Sequence, residues 1–189
     1  MSIAQFPDSS QISLEQRPIL HPSFKSLADG LSELTFANIF LFRQVHNYQI
    51  SQLGGNLFII TGKDNDKPFF MLPFAVPDKK ELDELFRLYG SIKAVSQSQV
   101  RTLLDLGCEV IEDRDNFDYL YSRRELAGLA GRKFHKKKNL LNFFISNYSC
   151  QAKPLLDEYK NDALKILETW KNQTASLGDY HAAKEALEQ

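Results

Sequence analysis

Apolar positions recur every three or four residues in three segments, and each segment follows a side chain that can cap a helix. In each case an acidic or amide residue stands three positions after the cap, so that both can satisfy free N–H groups of the first turn. Gly90 and Gly107 are predicted to end the first two helices, because glycine readily adopts the left-handed conformation of a C-terminal cap. The predicted starts are Asp78 with Glu81, Ser96 with Gln99, and Ser122 with Glu125.

Segments rich in β-branched and aromatic residues lie around these helices and predict strands. Gly54-Gly55 separates two of them and favours a two-residue hairpin turn with positive φ over a phosphate loop, since no further glycine motif surrounds it. The last segment alternates aromatic with other residues, which is typical of a strand with one buried face. The predicted strands cover residues 48–53, 56–61, 68–72, a short segment at 91–95, and 117–121.

The order of these elements predicts an α+β fold, in which a mixed, largely antiparallel sheet is flanked by helices. After Ser122 the chain is predicted to be nearly all helical. Pro154 suits the first position of an amphipathic helix over residues 154–172, and residues 179–187 predict one more helix. The apolar face of the helix at 154–172 comprises Leu156, Tyr159, Ala163, Ile166, Leu167 and Trp170.

The net charge of −1 excludes binding of polyanions by bulk charge, so contact with nucleic acid or anionic lipid requires a local patch. The two cysteines, Cys108 and Cys150, and the four histidines have no metal-ligand spacing, and we predict no metal site. The first residues lack the basic and apolar regions of a signal peptide, and the longest apolar runs fall far short of the ~20 residues that span a bilayer. We therefore predict a cytoplasmic protein without a transmembrane segment.

The densest charge cluster is residues 131–139 (GRKFHKKKN), and residues 123–138 hold seven Lys or Arg against one acid, Glu125. A helical projection of this segment separates an apolar face, predicted to anchor the helix in a core, from a polar face. Lys137 and Lys138 flank the apolar face. The apolar face contains Phe134, Leu141, Phe144, Ile145 and Tyr148, and the polar face contains Arg132, His135, Lys136 and Asn139.

This basic helix has two interpretations. It is either a solvated face beside a core, or a site for the phosphate of tRNA, coenzyme A or a lipid headgroup. The position of the charges at a helix start favours the second, because free N–H groups and the macrodipole attract anions there. The acids Asp113, Asp115 and Asp118 are interpreted as loop-solvating or capping residues rather than a general base, so no catalytic residue is assigned. The anion-binding candidates are Arg132, Lys133, His135, Lys136, Lys137, Lys138 and Asn139.

Two motifs together resemble the phosphatidylglycerol lysyltransferase C-terminal domain family. The first is residues 113–121 (DRDNFDYLY) with Leu126 and residues 131–139, and the second is the aromatic stretch at residues 33–43 (ELTFANIFLFR). Trp170 also fits, and the resemblance covers roughly residues 12–189. Phe134 stands where the family usually has Tyr, and Lys138 stands where it has Arg. Lysine does not offer the bidentate fork of arginine to a phosphate.

The resemblance implies two GNAT-like (acyltransferase) halves in tandem. Residues 12–121 would form the first half, residues 122–150 a basic connecting region, and residues 151–189 the opening helices of a second half whose remainder we expect to lie outside this chain. The implied activity of the complete protein is aminoacyl or acyl transfer, with aminoacyl-tRNA or acyl-coenzyme A as donor. The alternative is a catalytically silent binding or scaffold module that recognises a phosphate-bearing partner. A homodimer or the further half is expected to cover the helix at 154–172.

Overall fold

The computed structural model describes residues 3–28, 31–55, 57–173 and 177–189. Its internal contacts divide the chain into two units. The first unit comprises Met1–Glu112 and Asp162–Gln189, and the second unit comprises Asp113–Asn161. The domain boundaries expected near residues 122 and 151 come from the family resemblance, and the division by internal contacts does not test them. They stay predictions.

The first unit is built on a four-stranded antiparallel sheet in the order β1-β2-β3-β4. Pairing of Ile50 with Ile60 and of Ile60 with Met71 fixes the register of the three longer strands. This sheet and its flanking helices confirm the predicted α+β class. The strands are β1 (Ser10–Gln11), β2 (Gln49–Gln52), β3 (Phe58–Asp64) and β4 (Lys67–Met71).

Both faces of this sheet are covered by apolar residues, which explains why β3 is buried at consecutive positions. On one face, Ile60 belongs to a cluster with residues of the helices α1 (Arg17–Lys25) and α2 (Phe36–Leu41). On the other face, Ile59 belongs to a cluster with residues of α3 (Lys79–Tyr89) and α4 (Gln97–Asp105). The side chains that are most deeply buried include Phe70, Ile12, Leu20, Ile39, Ile50, Ile59, Ile60, Leu82, Leu85 and Leu103.

The three predicted helix starts with a capping side chain are confirmed. The Asp78 carboxylate accepts a hydrogen bond from the Glu81 amide at 2.9 Å, and Gly90 ends α3 at φ 76°. Ser96 and Gln99 form the reciprocal capping box of α4, with the Ser96 amide donating to the Gln99 side chain at 3.0 Å. Ser122 likewise begins α5 (Arg123–Gly128).

The hairpin between β2 and β3 is confirmed, but its predicted two-residue turn at Gly54-Gly55 is wrong. The Leu53 amide donates to the Leu57 carbonyl at 2.7 Å, so the connection contains a third residue, Asn56, which lies outside the described residues. A two-residue turn with positive φ instead joins β3 to β4, at Asn65 (φ 49°) and Asp66 (φ 63°). Asparagine and aspartate tolerate this conformation because their short side chains can form hydrogen bonds with the nearby backbone.

Two further strand predictions differ from the structure. Residues 91–95 form a single parallel bridge, between Ile92 and Phe70, rather than a strand. Residues 117–121 pair with no other segment that the structure describes, and Tyr119 is 87% exposed. All residues of the second unit are described and none belongs to a strand, so the alternating aromatic pattern has no ladder partner there. The sequence analysis also missed β1, whose two residues are too few to show a period.

The basic helix of the second unit exposes most of the apolar face that was predicted to anchor it. A 3-10 turn at Arg132–Phe134 leads into α6 (His135–Asn147), and Phe134 is the only buried residue among those of the second unit. The other four predicted anchors are exposed, because the unit offers no sheet or helix face that covers them. They are Leu141, Phe144, Ile145 and Tyr148.

Helix α7 (Asp157–Lys171) begins three residues later than the Pro154 start that was predicted, and Ile166 on its apolar face is 71% exposed. What covers this face stays a prediction. The expected last helix is present as α8 (Leu177–Glu188). It belongs to the first unit and packs on α2, where Glu185 forms a bidentate ion pair with Arg43 at 2.7 and 2.9 Å.

Candidate functional site

The start of helix α6 is shaped by Gly131 and Phe134. Gly131 has φ 88°, a conformation that side chains rarely adopt, and its carbonyl accepts the Phe134 amide at 3.2 Å. Phe134 is buried and fixes the turn, while the residues on either side of it are exposed. The first turn therefore presents its free backbone N–H groups and its basic side chains together.

An open depression of about 470 Å³ lies at this helix start, and we call it the basic concavity. Three of its side chains, Arg132, His135 and Lys138, follow one another at intervals of three residues. Side chains at this spacing lie on one side of a 3-10 turn and of the α-helical turn that follows it. Among the described residues, no carboxylate lines the depression. The full lining is Leu129, Ala130, Gly131, Arg132, His135 and Lys138.

The positive charge of the basic concavity is largely uncompensated. Lys133, which lies outside the lining, forms an ion pair with Glu125 at 2.6 Å and places its ammonium 5.1 Å from the centre of the Phe134 ring. Among the residues that the structure describes, Arg132 and Lys138 form no ion pair. An anion that entered the depression would meet two cations and a histidine without displacing an internal acid.

The structure divides the seven candidate residues into three groups. Arg132, His135 and Lys138 converge on the basic concavity, and Lys133 is engaged by Glu125. The helical projection put Lys138 beside the apolar face, but the 3-10 turn shifts the phase so that it joins Arg132 and His135. The remaining candidates are exposed outside the lining, and they are Lys136, Lys137 and Asn139.

One residue of the acidic cluster, Asp113, has the loop-capping role that was predicted for the cluster. Asp113 precedes the 3-10 turn at Arg114–Asn116, and its carboxylate accepts a hydrogen bond from the Asn116 amide group at 2.8 Å. Elsewhere, the described residues contain no group of three side chains that could hold a metal ion. Each described helix is too short or too polar to cross a bilayer.

A second depression, of about 190 Å³, lies in the first unit, and we call it the His46 pocket. His46 Nδ1 lies 2.6 Å from Asp64 Oδ1, and Asp64 also accepts a hydrogen bond from Lys93. Partial burial raises the pKa of Asp64, but the hydrogen bonds from Lys93 and His46 outweigh it and hold this pKa below its ordinary value. The pocket is lined by Glu33, Asn38, Phe42, His46 and Tyr48.

Sequence analysis missed the His46 pocket. His46 and Asp64 are 18 residues apart and meet only because β2 and β3 pair. No local sequence pattern therefore predicts their contact. Burial, with smaller contributions from Asp64 and Glu33, raises the pKa of the Tyr48 hydroxyl well above its ordinary range. The available signal was indirect: His46 and Tyr48 follow the aromatic stretch at residues 33–43 that carries part of the family resemblance.

Comparisons with known proteins agree with that resemblance. The profile of the family described as phosphatidylglycerol lysyltransferase, C-terminal, matches residues 24–189. An uncharacterized protein of Mycoplasmoides gallisepticum is 27% identical over 106 residues, which cover 54% of this chain and 33% of that protein. The chain thus spans about a third of the length of this curated relative.

A solved structure shows a similar fold. It is the crystal structure of a conserved protein of unknown function from Bacteroides thetaiotaomicron, with a TM-score of 0.80 and 21% sequence identity. The match covers 95% of this chain and 66% of that one. At this identity the likeness shows the fold alone.

Proposed function

Since this chain belongs to the phosphatidylglycerol lysyltransferase C-terminal family, we propose that its basic concavity binds the phosphates of an activated donor in an aminoacyl- or acyl-transfer reaction. The donor would be an aminoacyl-tRNA or an acyl-coenzyme A, both of which carry phosphate. The observation that carries the proposal is the convergence of Arg132, His135 and Lys138 on one depression without a carboxylate.

The geometry supports phosphate more than a generic solvated face. Arg132 and Lys138 carry like charges on one side of this helix start, and like charges on one helix face repel one another, so their arrangement contributes nothing to the stability of α6 by itself. The free N–H groups of the first turn and the helix macrodipole add attraction for an anion at the same end. Arg132 can offer two parallel N–H donors to a phosphate, whereas Lys138 acts as a point charge.

Transfer itself would need little chemistry from this surface. The acceptor nitrogen or oxygen would bond to the donor's carbonyl carbon, the ester or thioester bond would break, and the leaving oxygen or sulfur would take up the proton that the acceptor releases. Holding the donor by its phosphates would contribute through positioning, because a fixed geometry lowers the entropic part of the barrier.

A binding assay with a salt series tests this proposal. Labelled tRNA and coenzyme A would be titrated separately into the wild type, an Arg132→Gln/Lys138→Gln variant and a matched Lys136→Gln/Lys137→Gln variant. We expect one of the two ligands to bind with an affinity that falls with salt. The first variant should reduce the salt slope by about one for each phosphate that it no longer neutralises.

The matched variant removes the same charge from the same helix but leaves the lining of the basic concavity intact. We expect it to lose much less affinity than the Arg132→Gln/Lys138→Gln variant. Equal losses of affinity in the two variants would indicate a nonspecific effect of net charge. An absence of binding to both ligands would leave only a solvated helix face. Either result contradicts the proposed site.

One observation favours the alternative, a binding module without catalysis. The lining of the basic concavity holds no acid that could act as a general base, and Glu125 is engaged by Lys133. A transfer assay with charged tRNA or acyl-coenzyme A and a mixture of primary amines separates the two functions. Binding without transfer would favour the module, and transfer that the Arg132→Gln/Lys138→Gln variant loses would favour the enzyme.

A further inference from the structure

The hydroxyl of Tyr48 in the His46 pocket has no hydrogen-bond partner among the described residues, although the residue is only 6% exposed. This hydroxyl keeps some accessible surface, because the described residues include no fully enclosed polar side-chain atom without a partner, and Tyr48 lines the pocket. Its ring packs edge-on against Phe69 at 6.2 Å, and Gly62 gives it room, since a Cβ there would lie 2.9 Å from Tyr48 Cδ1. Tyr48 therefore lines the pocket with a closely packed ring and an unpartnered hydroxyl, and such a group favours a ligand that bonds to it.

The polar groups of the lining are arranged as acceptors. Asn38 donates its side-chain N–H to the Ser32 carbonyl at 3.3 Å, which leaves its amide oxygen to accept. His46 uses Nδ1 toward Asp64, so Nε2 is the ring nitrogen that can accept from a ligand. Glu33 takes one hydrogen bond from the Ser32 hydroxyl at 3.3 Å, and its carboxylate forms no ion pair among the described residues.

This set of groups matches the donor-only chemistry of an ammonium. A primary ammonium has three N–H donors and no acceptor. It also carries a positive charge, which could pair with the carboxylate of Glu33. The aromatic lining residues Phe42 and Tyr48 add ring surfaces of the kind that attract cations. The depression of about 190 Å³ corresponds to the liquid volume of about six water molecules and is open to solvent, so it has room for a short organic cation.

Electrostatics in the pocket point the same way. Beyond the effect of burial, the carboxylates of Asp64 and Glu33 raise the pKa of Tyr48, which reports a negative field at its hydroxyl. The Lys93 ammonium compensates Asp64, to which His46 is also hydrogen-bonded, whereas Glu33 has no cation as a direct partner among the described residues. The net charge that faces a ligand is therefore negative when His46 is neutral.

We propose that the His46 pocket binds the primary ammonium group of a small organic cation, with Glu33 as its charge partner and Tyr48, Asn38 and His46 Nε2 as hydrogen-bond acceptors. This site goes beyond the proposed function and shares no residue with the basic concavity. Either one can fail without the other.

The test is a ligand titration of the full chain by NMR, with n-propylammonium chloride as the probe. Neutral 1-propanol and propionate serve as controls of the same length. We expect the ammonium to bind saturably in the millimolar range, with shifts centred on residues 33–48, and both controls to bind more weakly. Absence of saturable binding, or equal binding of 1-propanol, would overturn the proposal.

Two substitutions then test the individual interactions. Glu33→Gln keeps the shape of the side chain and removes its charge, and we expect a roughly ten-fold loss of affinity, as for a charged hydrogen bond of about 1.4 kcal/mol. Tyr48→Phe removes the hydroxyl alone, and we expect a smaller loss. Glu84→Gln, on α3 outside the pocket, removes the same charge and is expected to leave the affinity unchanged.

The outcome rests chiefly on Glu33, which is half-buried and whose glutamine variant is expected to fold normally. If Glu33→Gln binds the ammonium as tightly as the wild type, or Glu84→Gln weakens binding equally, the pocket does not recognise the charge and the proposal is wrong. An unfolding transition measured on each variant distinguishes a weaker ligand interaction from a failure to fold.

Discussion

The first unit buries most of its apolar side chains, whereas the second unit exposes nearly all of its own. Apolar clusters cover both faces of the sheet in the first unit, and Ile60 and Leu82 have no exposed surface. In the second unit Phe134 is the one buried residue, while Leu120 is 97% exposed. Capping and charge produce helices in both units, but only the first combines them with a core of its own.

This difference separates two sources of order. Helices α3 and α5 both begin at a side-chain cap, so local signals act equally in the two units. Only α3 adds buried leucines, Leu82 and Leu85, on the face that meets the sheet. The second unit instead presents a basic concavity and an exposed apolar face on the same helix, which is a surface suited to binding more than to stability.

The largest expected effect compares one leucine from each unit. Leu82→Ala removes a fully buried side chain and should lower the free energy of unfolding by about 2–5 kcal/mol. Leu141→Ala removes a side chain that is 46% exposed and should cost about 0.5 kcal/mol or less. Urea unfolding followed by circular dichroism measures both. A similar loss in the two variants would break the comparison, because it would mean that α6 is buried in solution.

A second pair compares glycines. Gly62→Ala would press a Cβ against Tyr48 and Phe69, so we expect a loss of about 1–3 kcal/mol in unfolding free energy. Gly128→Ala, near the end of α5, meets open space and should be neutral or slightly stabilising, since alanine favours a helix. Thermal unfolding of the two variants decides the matter. A Gly62→Ala protein as stable as the wild type would contradict the close packing of Tyr48.

The caps provide a smaller and more local contrast. Asp78→Ala should cost about 1 kcal/mol of global stability, because α3 is packed on the core. Ser122→Ala should loosen α5 by a similar amount without changing the stability of the first unit. Amide hydrogen exchange reports both effects. Faster exchange in β3 of the Ser122→Ala variant would show that the units are not independent.

The smallest expected effect concerns pH. The hydrogen bonds to Asp64 lower its pKa below its value in the unfolded chain, so its contribution to stability is present above the unfolded-state pKa. That contribution is lost as the pH falls through the folded-state pKa. We therefore expect Asp64→Asn to be less stable than the wild type at neutral pH and equally stable in strong acid. A gap that stays constant with pH would argue against the hydrogen bonds that Asp64 accepts from His46 and Lys93.

Local signals predicted much of the fold, and nonlocal pairing explains most of what they missed. The caps at Asp78, Ser96 and Ser122 and the strands β3 and β4 follow from neighbouring residues alone. The strand expected at residues 117–121 has the right alternation but no partner, which no local pattern can reveal.

The candidate site divides in the same way. The basic charge at the start of α6 is visible in the sequence, and the grouping of Lys138 with Arg132 and His135 depends on a 3-10 turn that helical periodicity does not predict. The His46 pocket depends on strand pairing across 18 residues and gave no local signal.

The proposed phosphate-binding role of the basic concavity is tested most directly by titrating the isotope-labelled full chain with inorganic pyrophosphate and following each backbone amide by NMR. We predict saturable shifts concentrated at residues 131–138, reduced in Arg132→Gln/Lys138→Gln and largely kept in Lys136→Gln/Lys137→Gln. Shifts spread evenly over all lysine-bearing surfaces, or none at residues 131–138, would contradict the assignment of this helix start as an anion site.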